Sequence, residues 1–344
     1  MKVTTNLLPP VIISIFSGYI GAWIVYKWGE RFGFVDKPTQ RSSHQKVTPK
    51  GAGIGLLFTF CVLFVWHRFE WMIGLSVIGL ALLSLLDDRL DLSVLRRLQF
   101  QFLATGLVLK GLNVDRFVEI GPFQDLMTKG VVWIVLYVLL ALFIIGTSNF
   151  YNFMDGIDGI AAITGIVAFG LIASVSWNND QLNMPCLLAI GMSVSCFGFL
   201  PFNFPSAKVF MGDVGSILLG FTFSVLVLWV SNNWNEVLCF AGFLFPFYAD
   251  ETLSILERII RGEALTIPHR RHLYQVLANE YNIAHWKISI FYGLFQLLVG
   301  ILLIQMKDVG IVGIIGTLFL LFCGFSFINF KVKKKLQIRN LIKQ

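Results

Sequence analysis

Stretches of mainly apolar residues recur from one end of this chain to the other, and about 20 such residues are what a helix needs to cross a hydrocarbon core. They fall at 7–26, 51–66, 70–86, 98–112, 131–148, 157–176, 184–200, 214–231, 236–254, 284–304 and 309–329. That makes eleven candidate spans, or ten if one of the short or Gly- and Pro-interrupted stretches does not cross. Only 14% of residues are charged, against about 25% in a soluble domain, so water is not the main solvent. The pattern predicts an all-α polytopic membrane protein, one integral-membrane domain over residues 1–344. The first span lacks a small-residue cleavage site and reads as a retained helix. There is no long polar stretch, low-complexity segment or internal repeat. The five cysteines, Cys61, Cys186, Cys196, Cys239 and Cys323, lie in apolar spans without a Cys-x-x-Cys pair. They read as small buried hydrophobes, with no disulfide framework or zinc site.

The net charge of +7 is distributed as a topology signal and does not form a nucleic-acid patch. Cytoplasmic loops are enriched in Lys and Arg. Loops 27–50, 87–97, 149–156 and 201–213, the segment 255–287 and the tail 331–344 together hold 21 basic residues, and the opposite set holds 6. This predicts a periplasmic N-terminus and a cytoplasmic C-terminus, with Lys333–Lys335 near anionic headgroups. Every notable polar motif falls on the cytoplasmic set. A transporter would bury ionisable residues at midplane depth; here they cluster at helix ends on one face. That points to chemistry at the membrane surface.

Four segments carry that chemistry. In Leu85-Leu86-Asp87-Asp88-Arg89-Leu90-Asp91, Asp87 and Asp91 share a helical face and Asp88 is turned about 100° away. Acidic residues at a helix C-terminus oppose the macrodipole, which suggests a bound cation or a proton-accepting role. In Asn149-Phe150-Tyr151-Asn152-Phe153-Met154-Asp155-Gly156-Ile157-Asp158-Gly159, a carboxylate or carboxamide recurs every third residue. Such oxygen ligands suit a hard cation such as Mg²⁺, with Mn²⁺ an alternative, and the glycines permit close backbone approach. Phe202-Asn203-Phe204-Pro205-Ser206-Ala207-Lys208-Val209-Phe210-Met211-Gly212-Asp213-Val214-Gly215-Ser216 enters a helix whose first amides suit phosphate. There Asp213 is placed for a metal, and Phe210 offers a flat surface to a base. Pro268-His269-Arg270-Arg271-His272 makes an anion clamp, and His272 is a candidate proton donor. A weaker basic and glycine-containing segment, Arg41–Gly53, is a candidate cover for a nucleotide phosphate. His67 and His285 read as ordinary interfacial residues.

Together these segments resemble the polyprenyl-phosphate N-acetylhexosamine-1-phosphate transferases of glycosyltransferase family 4, from about Arg41 to Gln275. The resemblance implies that Asp213 and Asn152 hold Mg²⁺ and that Asp158, Asn203 and Phe210 contact the uridine. The Asp155-Gly156-Ile157-Asp158 turn would meet the nucleotide. Asp87 and Asp88 would position or deprotonate the carrier phosphate, and His269, Arg271 and His272 would bind the diphosphate. Lys46 matches a basic nucleotide-loop position. The last motif departs from the Pro-x-His-His-His of the branch that uses a muramyl-pentapeptide donor. It looks more like the branch that initiates O-antigen and other surface polysaccharides.

The implied reaction joins a UDP-N-acetylhexosamine to undecaprenyl phosphate, giving undecaprenyl-diphospho-HexNAc and UMP, in the bacterial inner membrane with the site facing the cytoplasm. A second copy of the chain is a candidate partner. The muramyl-pentapeptide reaction is the alternative within the family, and a lipid-linked sugar transporter is the alternative outside it. The topology has a direct check. A reporter fused after Ser43 or His272 is expected to score as cytoplasmic, and one after Asn179 or Asn233 as the opposite side. A periplasmic signal at His272 would break the scheme.

Overall fold

The structure, a computed structural model, describes residues 7–38, 46–67, 69–90, 92–114, 117, 130–177, 183–264 and 270–342. All eleven apolar stretches carry helix. The helices are α1 (Leu8–Trp28), α2 (Ile54–His67), α3 (Trp71–Leu90), α4 (Val94–Gly111), α5 (Gly130–Phe153), α6 (Ile160–Ser176) and α7 (Met184–Phe199). They continue as α8 (Asp213–Val230), α9 (Trp234–Ala241), α10 (Phe245–Ile260), α11 (Leu273–Asn279), α12 (His285–Met306) and α13 (Ile311–Ile342). Among the described residues, seven helical stretches are long and apolar enough to cross a membrane, in α1, α3, α5, α7, α8, α12 and α13. The protein is an all-helical, multi-pass membrane protein. The helices α2 and α6 are apolar but shorter. The helix α4 has the length but carries Arg96, Arg97 and Lys110. The expected span 236–254 is broken: a tight turn at Gly242–Leu244 separates α9 from α10. Pro246 then sits at the start of α10, where its missing N–H costs nothing.

The bundle is organised around α8, which is apolar all round and buried from Val214 to Leu228, as expected of a helix with no solvent face. It packs on α3 and α5, while α1 packs on α7, α7 on α6 and α6 on α12. Apolar burial gives little drive between helices in lipid, so association relies on close backbone approach and hydrogen bonds. On α1, Ser14, Ser17, Gly18, Gly21 and Ala22 form the inward stripe. A Cβ added at Gly18 would stand 2.1 Å from the Ser195 carbonyl oxygen of α7. Nearby, Thr59 and Ser195 share a buried hydroxyl–hydroxyl bond of 2.9 Å. The opposite face of α1 presents Phe16, Tyr19, Ile20 and Trp23 outward. In water such a surface would be an aggregation liability; in a bilayer it is the solvated face.

The described part of the Arg41–Gly53 segment, read from sequence as a candidate cover for a nucleotide phosphate, packs on the chain that enters α8 and locks that helix in place. Strands β1 (Val35–Asp36) and β2 (Thr48–Pro49) pair antiparallel, Val35 against Pro49 and Asp36 against Thr48. The chain then runs along the residues preceding α8: Phe210 N donates to Pro49 O at 2.8 Å, Ala52 N to Phe210 O at 3.1 Å and Gly53 N to Met211 O at 2.8 Å. Gly212, the N-cap of α8, has φ 75° and ψ 170°, a region open essentially to glycine alone. A Cβ there would meet Asp88 Oδ2 at 2.6 Å and Gly51 N at 2.7 Å.

Two costs therefore fall on Gly212→Ala: backbone strain of about 1–3 kcal/mol and displacement of the Asp88 carboxylate. The variant is expected to unfold several degrees below the wild type in detergent. Gly79→Ala is the control, because nothing lies within 4 Å of its added Cβ. Equal thermal midpoints for the two variants would refute the packing described.

Candidate active site

The ends of seven elements converge on one cavity of about 360 Å³. Asp36 comes from β1, Lys50 from the residue after β2, Asp88 from the end of α3 and Asn152 from the last turn of α5. The turn Asp155–Asp158 follows, with Asn203 and Phe210 from the connection between α7 and α8. Asp213 and Ser216 open α8, Gln275 lies on α11 and His285 opens α12. Of the residues singled out from sequence, Asp88, Asn152, Asp155, Gly156, Ile157, Asp158, Asn203, Phe210 and Asp213 line this cavity together.

The paired aspartates at the end of α3 do different things. Asp88 turns to α8, where it accepts from Asp213 N and Val214 N, each at 3.2 Å. These are orphan amides of a helix start, and Gly212 has no side chain with which to cap them. Lys50 Nζ stands 3.5 Å from the same carboxylate. Asp87 turns the other way. It accepts from Leu92 N at 2.6 Å and pairs with Arg97 at 3.2 Å. The opposition to the helix dipole expected at this position is thus offset by two protein cations and by the positive end of α8. Asp91 and His269 lie outside the described residues.

Arg97 also stands 3.6 Å from Asp213 Oδ2 and so links the two carboxylates. Asn152 donates to Asp213 Oδ1 at 2.9 Å and to Ser216 Oγ at 2.8 Å. Its own carboxamide oxygen takes no hydrogen bond among the described residues. Asp213 keeps 33% of its side chain exposed, against 2% for Asp88 and 7% for Asp87. Of the three it is the most exposed to the cavity. Asp155 faces the cavity from the turn after α5. Burial, and then the charges of Asp213, Asp88 and Asp158, push its carboxyl up to about 7.

Other expected contacts take a different form. Asn203 is consumed as a stitch between two loops: it accepts from Gly159 N at 2.8 Å and donates to Val209 O at 2.9 Å. Gly156 is required by Tyr274, whose hydroxyl would be 2.2 Å from an added Cβ. Asn149 faces α4, exchanging amide bonds with Gln101. Lys46 is exposed ahead of β2, and Lys50 lines the cavity in its stead. Arg271 pairs with Glu263 at 2.6 Å and Glu257 at 3.5 Å, and lines a separate recess with Arg261, Arg270 and Lys333. His272 is buried, 3.4 Å from Glu251 and stacked on Tyr274. Burial, followed by the charges of Lys333 and Arg258, pushes its pKa down to about 3, so the ring is neutral near pH 7.

Several residues of the site escape sequence reasoning. His285, set aside as interfacial, meets Asp158 at 3.2 Å. Arg97 and Asp36 were counted only as loop charge or passed over, and Lys50 was named only within the Arg41–Gly53 segment. Asp250, inside the supposedly apolar span 236–254, is fully buried and accepts from Leu273 N, Tyr274 N and the Tyr292 hydroxyl. It thereby caps α11 and sets Tyr274 against the turn after α5. A signal existed, since an ionisable residue within a membrane span is functional by default.

Glycosyl transferase family 4 matches residues 70–231, a stretch that holds Asp87, Asp88, Asn152, Asp155, Asp158 and Asp213. A probable undecaprenyl-phosphate N-acetylglucosaminyl 1-phosphate transferase of Bacillus subtilis is 27% identical, over 77% of this chain and 75% of its own. An undecaprenyl-phosphate alpha-N-acetylglucosaminyl 1-phosphate transferase of Thermotoga maritima is 28% identical, over 80% of this chain and 82% of its own. A phospho-N-acetylmuramoyl-pentapeptide-transferase of Anoxybacillus flavithermus is 28% identical, over 74% and 82%. The acidic motifs that meet at the start of α8 fall within the matched stretch, and over these residues the chain is similar to glycosyl transferase family 4.

Proposed function

We propose that the protein transfers a HexNAc-1-phosphate from a UDP-N-acetylhexosamine to undecaprenyl phosphate, releasing UMP, at the cytoplasmic face of a bacterial inner membrane. One observation carries the reading. The cavity shares Asn152 and Asp213 with a narrower recess, which is lined by Asp87, Arg97 and Gln101 and by apolar Leu80, Leu83 and Ile217. Two spaces, one open and polar and one flanked by apolar helix faces, meet at one carboxylate. A transfer between a water-soluble donor and a lipid-borne acceptor needs that arrangement. The relatives named for undecaprenyl phosphate support the carrier. The departure of His269-Arg270-Arg271-His272 from a triple-histidine motif favours UDP-GlcNAc, UDP-GalNAc or a 6-deoxy N-acetylsugar over a muramyl-pentapeptide donor. It also favours the initiating step of O-antigen or another surface polysaccharide.

The donor set fits Mg²⁺. Five carboxylates, Asp36, Asp88, Asp155, Asp158 and Asp213, face one cavity whose lining includes a single lysine, Lys50. A diphosphate would be repelled there unless a cation came with it. Asp213 and the free carboxamide oxygen of Asn152 would hold the ion, an all-oxygen set of the kind hard cations take. Bound Mg²⁺ would offset charge on the diphosphate. Phe210 would stack the uracil, and the Asp155–Asp158 turn would border the nucleotide. Arg97 would draw the carrier phosphate into the recess. A phosphate monoester has a second pKa of about 6, so the carrier arrives largely as a dianion and needs little help from a base. One of its oxygens bonds to the sugar-linked phosphorus while the bond from that phosphorus to the UMP oxygen breaks. UMP takes the electron pair, in a step governed by positioning and charge.

The test is UMP release from the purified protein in detergent, given polyprenyl phosphate, a panel of UDP-sugars and Mg²⁺. No release with any donor would reject the function. Asp213→Asn keeps the shape and loses the charge, so turnover is expected to fall by about 100-fold or more while the protein still folds. EDTA should silence the wild type, with Mg²⁺ or Mn²⁺ restoring it. Near-normal turnover of Asp213→Asn at saturating Mg²⁺ would defeat the metal assignment.

The two spaces also predict two phenotypes. Asp158→Ala removes binding in both ground and transition states and is expected to raise KM for the UDP-sugar. Asp87→Asn, on the recess side, is expected to lower kcat with KM little changed. With the carrier already ionised, raising the pH through about 6 to 8 should recover little of the Asp87→Asn loss. Equal loss of UDP-sugar binding in both variants would show the division to be wrong.

A further inference from the structure

The Asp155–Asp158 turn is gripped at both ends. At its start, the Tyr274 hydroxyl of α11 donates to the Phe153 carbonyl at 3.2 Å. The same hydroxyl lies so close to Gly156 that an added Cβ would stand 2.2 Å from it. At its end, Ser289 of α12 donates to the Asp158 carbonyl at 2.7 Å, and the Asp158 amide donates to His285 Nδ1 at 3.4 Å. The two grips belong to different helices, and Asp250 of α10 binds both. On α11 it accepts from Leu273 N at 2.6 Å and from Tyr274 N at 3.3 Å. On α12 it accepts from the Tyr292 hydroxyl at 2.7 Å, one turn along from Ser289. Asp250 is itself fully buried and does not line the cavity.

A carboxylate sealed from water is tolerated where donors surround it, and here the donors come from the two helices that hold the turn. His272, the N-cap residue of α11, makes no side-chain cap, so the first amides of that short helix need an acceptor from elsewhere. Asp250 supplies it, and its bond to Tyr292 fixes where α12 stands relative to α11. An apolar residue could fill the same volume but could hold none of the three donors. The placement of α11 reaches the cavity twice, through Tyr274 against the turn and through Gln275, the next residue, which lines the cavity wall. We propose that Asp250 is a positioning residue for nucleotide binding, setting α11 and α12 so that Tyr274 and Ser289 hold the Asp155–Asp158 turn in its binding shape. The inference rests on the reading of the cavity as a UDP-sugar site and names the buried group that sets its affinity.

The experiment is calorimetric titration of the full-length protein in detergent with UMP and Mg²⁺, with steady-state kinetics and thermal midpoints measured alongside. The variants are Asp250→Asn, Tyr274→Phe, Ser289→Ala, the double variant Asp250→Asn with Tyr274→Phe, and Tyr248→Phe as control. Tyr274→Phe and Ser289→Ala each remove one grip and keep the volume nearly intact. Each is expected to weaken UMP binding about threefold to tenfold, the worth of one hydrogen bond. KM for the UDP-sugar should rise in step, with kcat nearly unchanged. Asp250→Asn turns one acceptor oxygen into a donor, so Leu273 N or Tyr274 N loses its partner, and the loss should reach about tenfold or more. The double variant should bind UMP no worse than Asp250→Asn alone, because the Tyr274 hydroxyl is already displaced. Tyr248→Phe strips from the same helix a hydroxyl that bonds Thr147 at 2.8 Å, away from the turn, and should bind UMP as the wild type does. A merely structural role for Asp250 would lower the thermal midpoint and leave the UMP affinity of the folded protein unchanged, which overturns the assignment. So does wild-type UMP affinity in Tyr274→Phe, the variant that decides the matter if Asp250→Asn fails to fold. A fall in kcat at constant KM overturns it too, and each of these outcomes leaves the function intact. Wild-type protein that binds no UMP overturns both.

Discussion

Asp88 reaches from the C-terminal end of α3 to the first two amides of α8, and the site is arranged around that contact. The helix α8 is buried along almost its whole length, so its unsatisfied amides cannot turn to water. Leaving a buried donor without a partner costs about 1–3 kcal/mol. Gly212 cannot cap them itself, and its backbone approaches Asp88 and Gly51 so closely that no side chain fits. The carboxylate therefore comes from another helix, and by doing so it fixes where α8 begins. Asp213 is the first residue of that helix, so its placement follows from the cap. So does the position of Asn152, which donates to Asp213 and to Ser216 one turn later.

Seen this way, the two adjacent aspartates are not a redundant pair. Asp88 is nearly sealed and faces a helix start, and Lys50 supplies its counter-charge. Asp87 faces the opposite direction and shares Arg97 with Asp213. Adjacent residues on a helix point about 100° apart, so one dipeptide can serve two spaces that a single side chain could not reach. Arg97 then couples the recess to the cavity through charge alone. Removing it would leave two close carboxylates without a shared counter-ion.

The helical segments were legible because apolar length is a local property, and the acidic motifs because their residue types sit close together in sequence. The hairpin β1–β2 was not legible, since two-residue strands leave no periodicity, and its bonds to Phe210 and Met211 join residues about 160 positions apart. Lys50 was overshadowed by Lys46 for the same reason: only the pairing with Pro49 and Phe210 decides which lysine turns inward. His285 carries no motif of its own, and its meaning comes from Asp158, 127 residues earlier. Asp250 was hidden by the opposite error. An apolar average over 236–254 concealed a buried carboxylate whose three donors come from α11 and α12. The break at Gly242–Leu244 likewise needs more than composition, although Pro246 marks it.

The remaining question is why a phosphotransferase should gather its charges at helix ends inside a bundle. Charge at the middle of a spanning helix is expensive, but helix termini must expose backbone polar groups anyway. Here the starts of α8 and α12 meet the ends of α3 and α5 around one cavity. The helix starts contribute partial positive charge, and the carboxylates come from the end of α3, the turn after α5, β1 and the first residue of α8. Opposite fields are thus interleaved over a few ångströms, as the contacts of Asp88 with the α8 amides and of Asp158 with the first turn of α12 display. An excess of carboxylates survives this compensation, and together with burial, the larger cause, it pushes Asp155 up to about 7. A divalent cation arriving with an anionic donor would relieve that excess and balance the donor in the same event. In the proposed reaction, the crowding of carboxylates in the cavity is thus the reason the metal and the UDP-sugar would bind together.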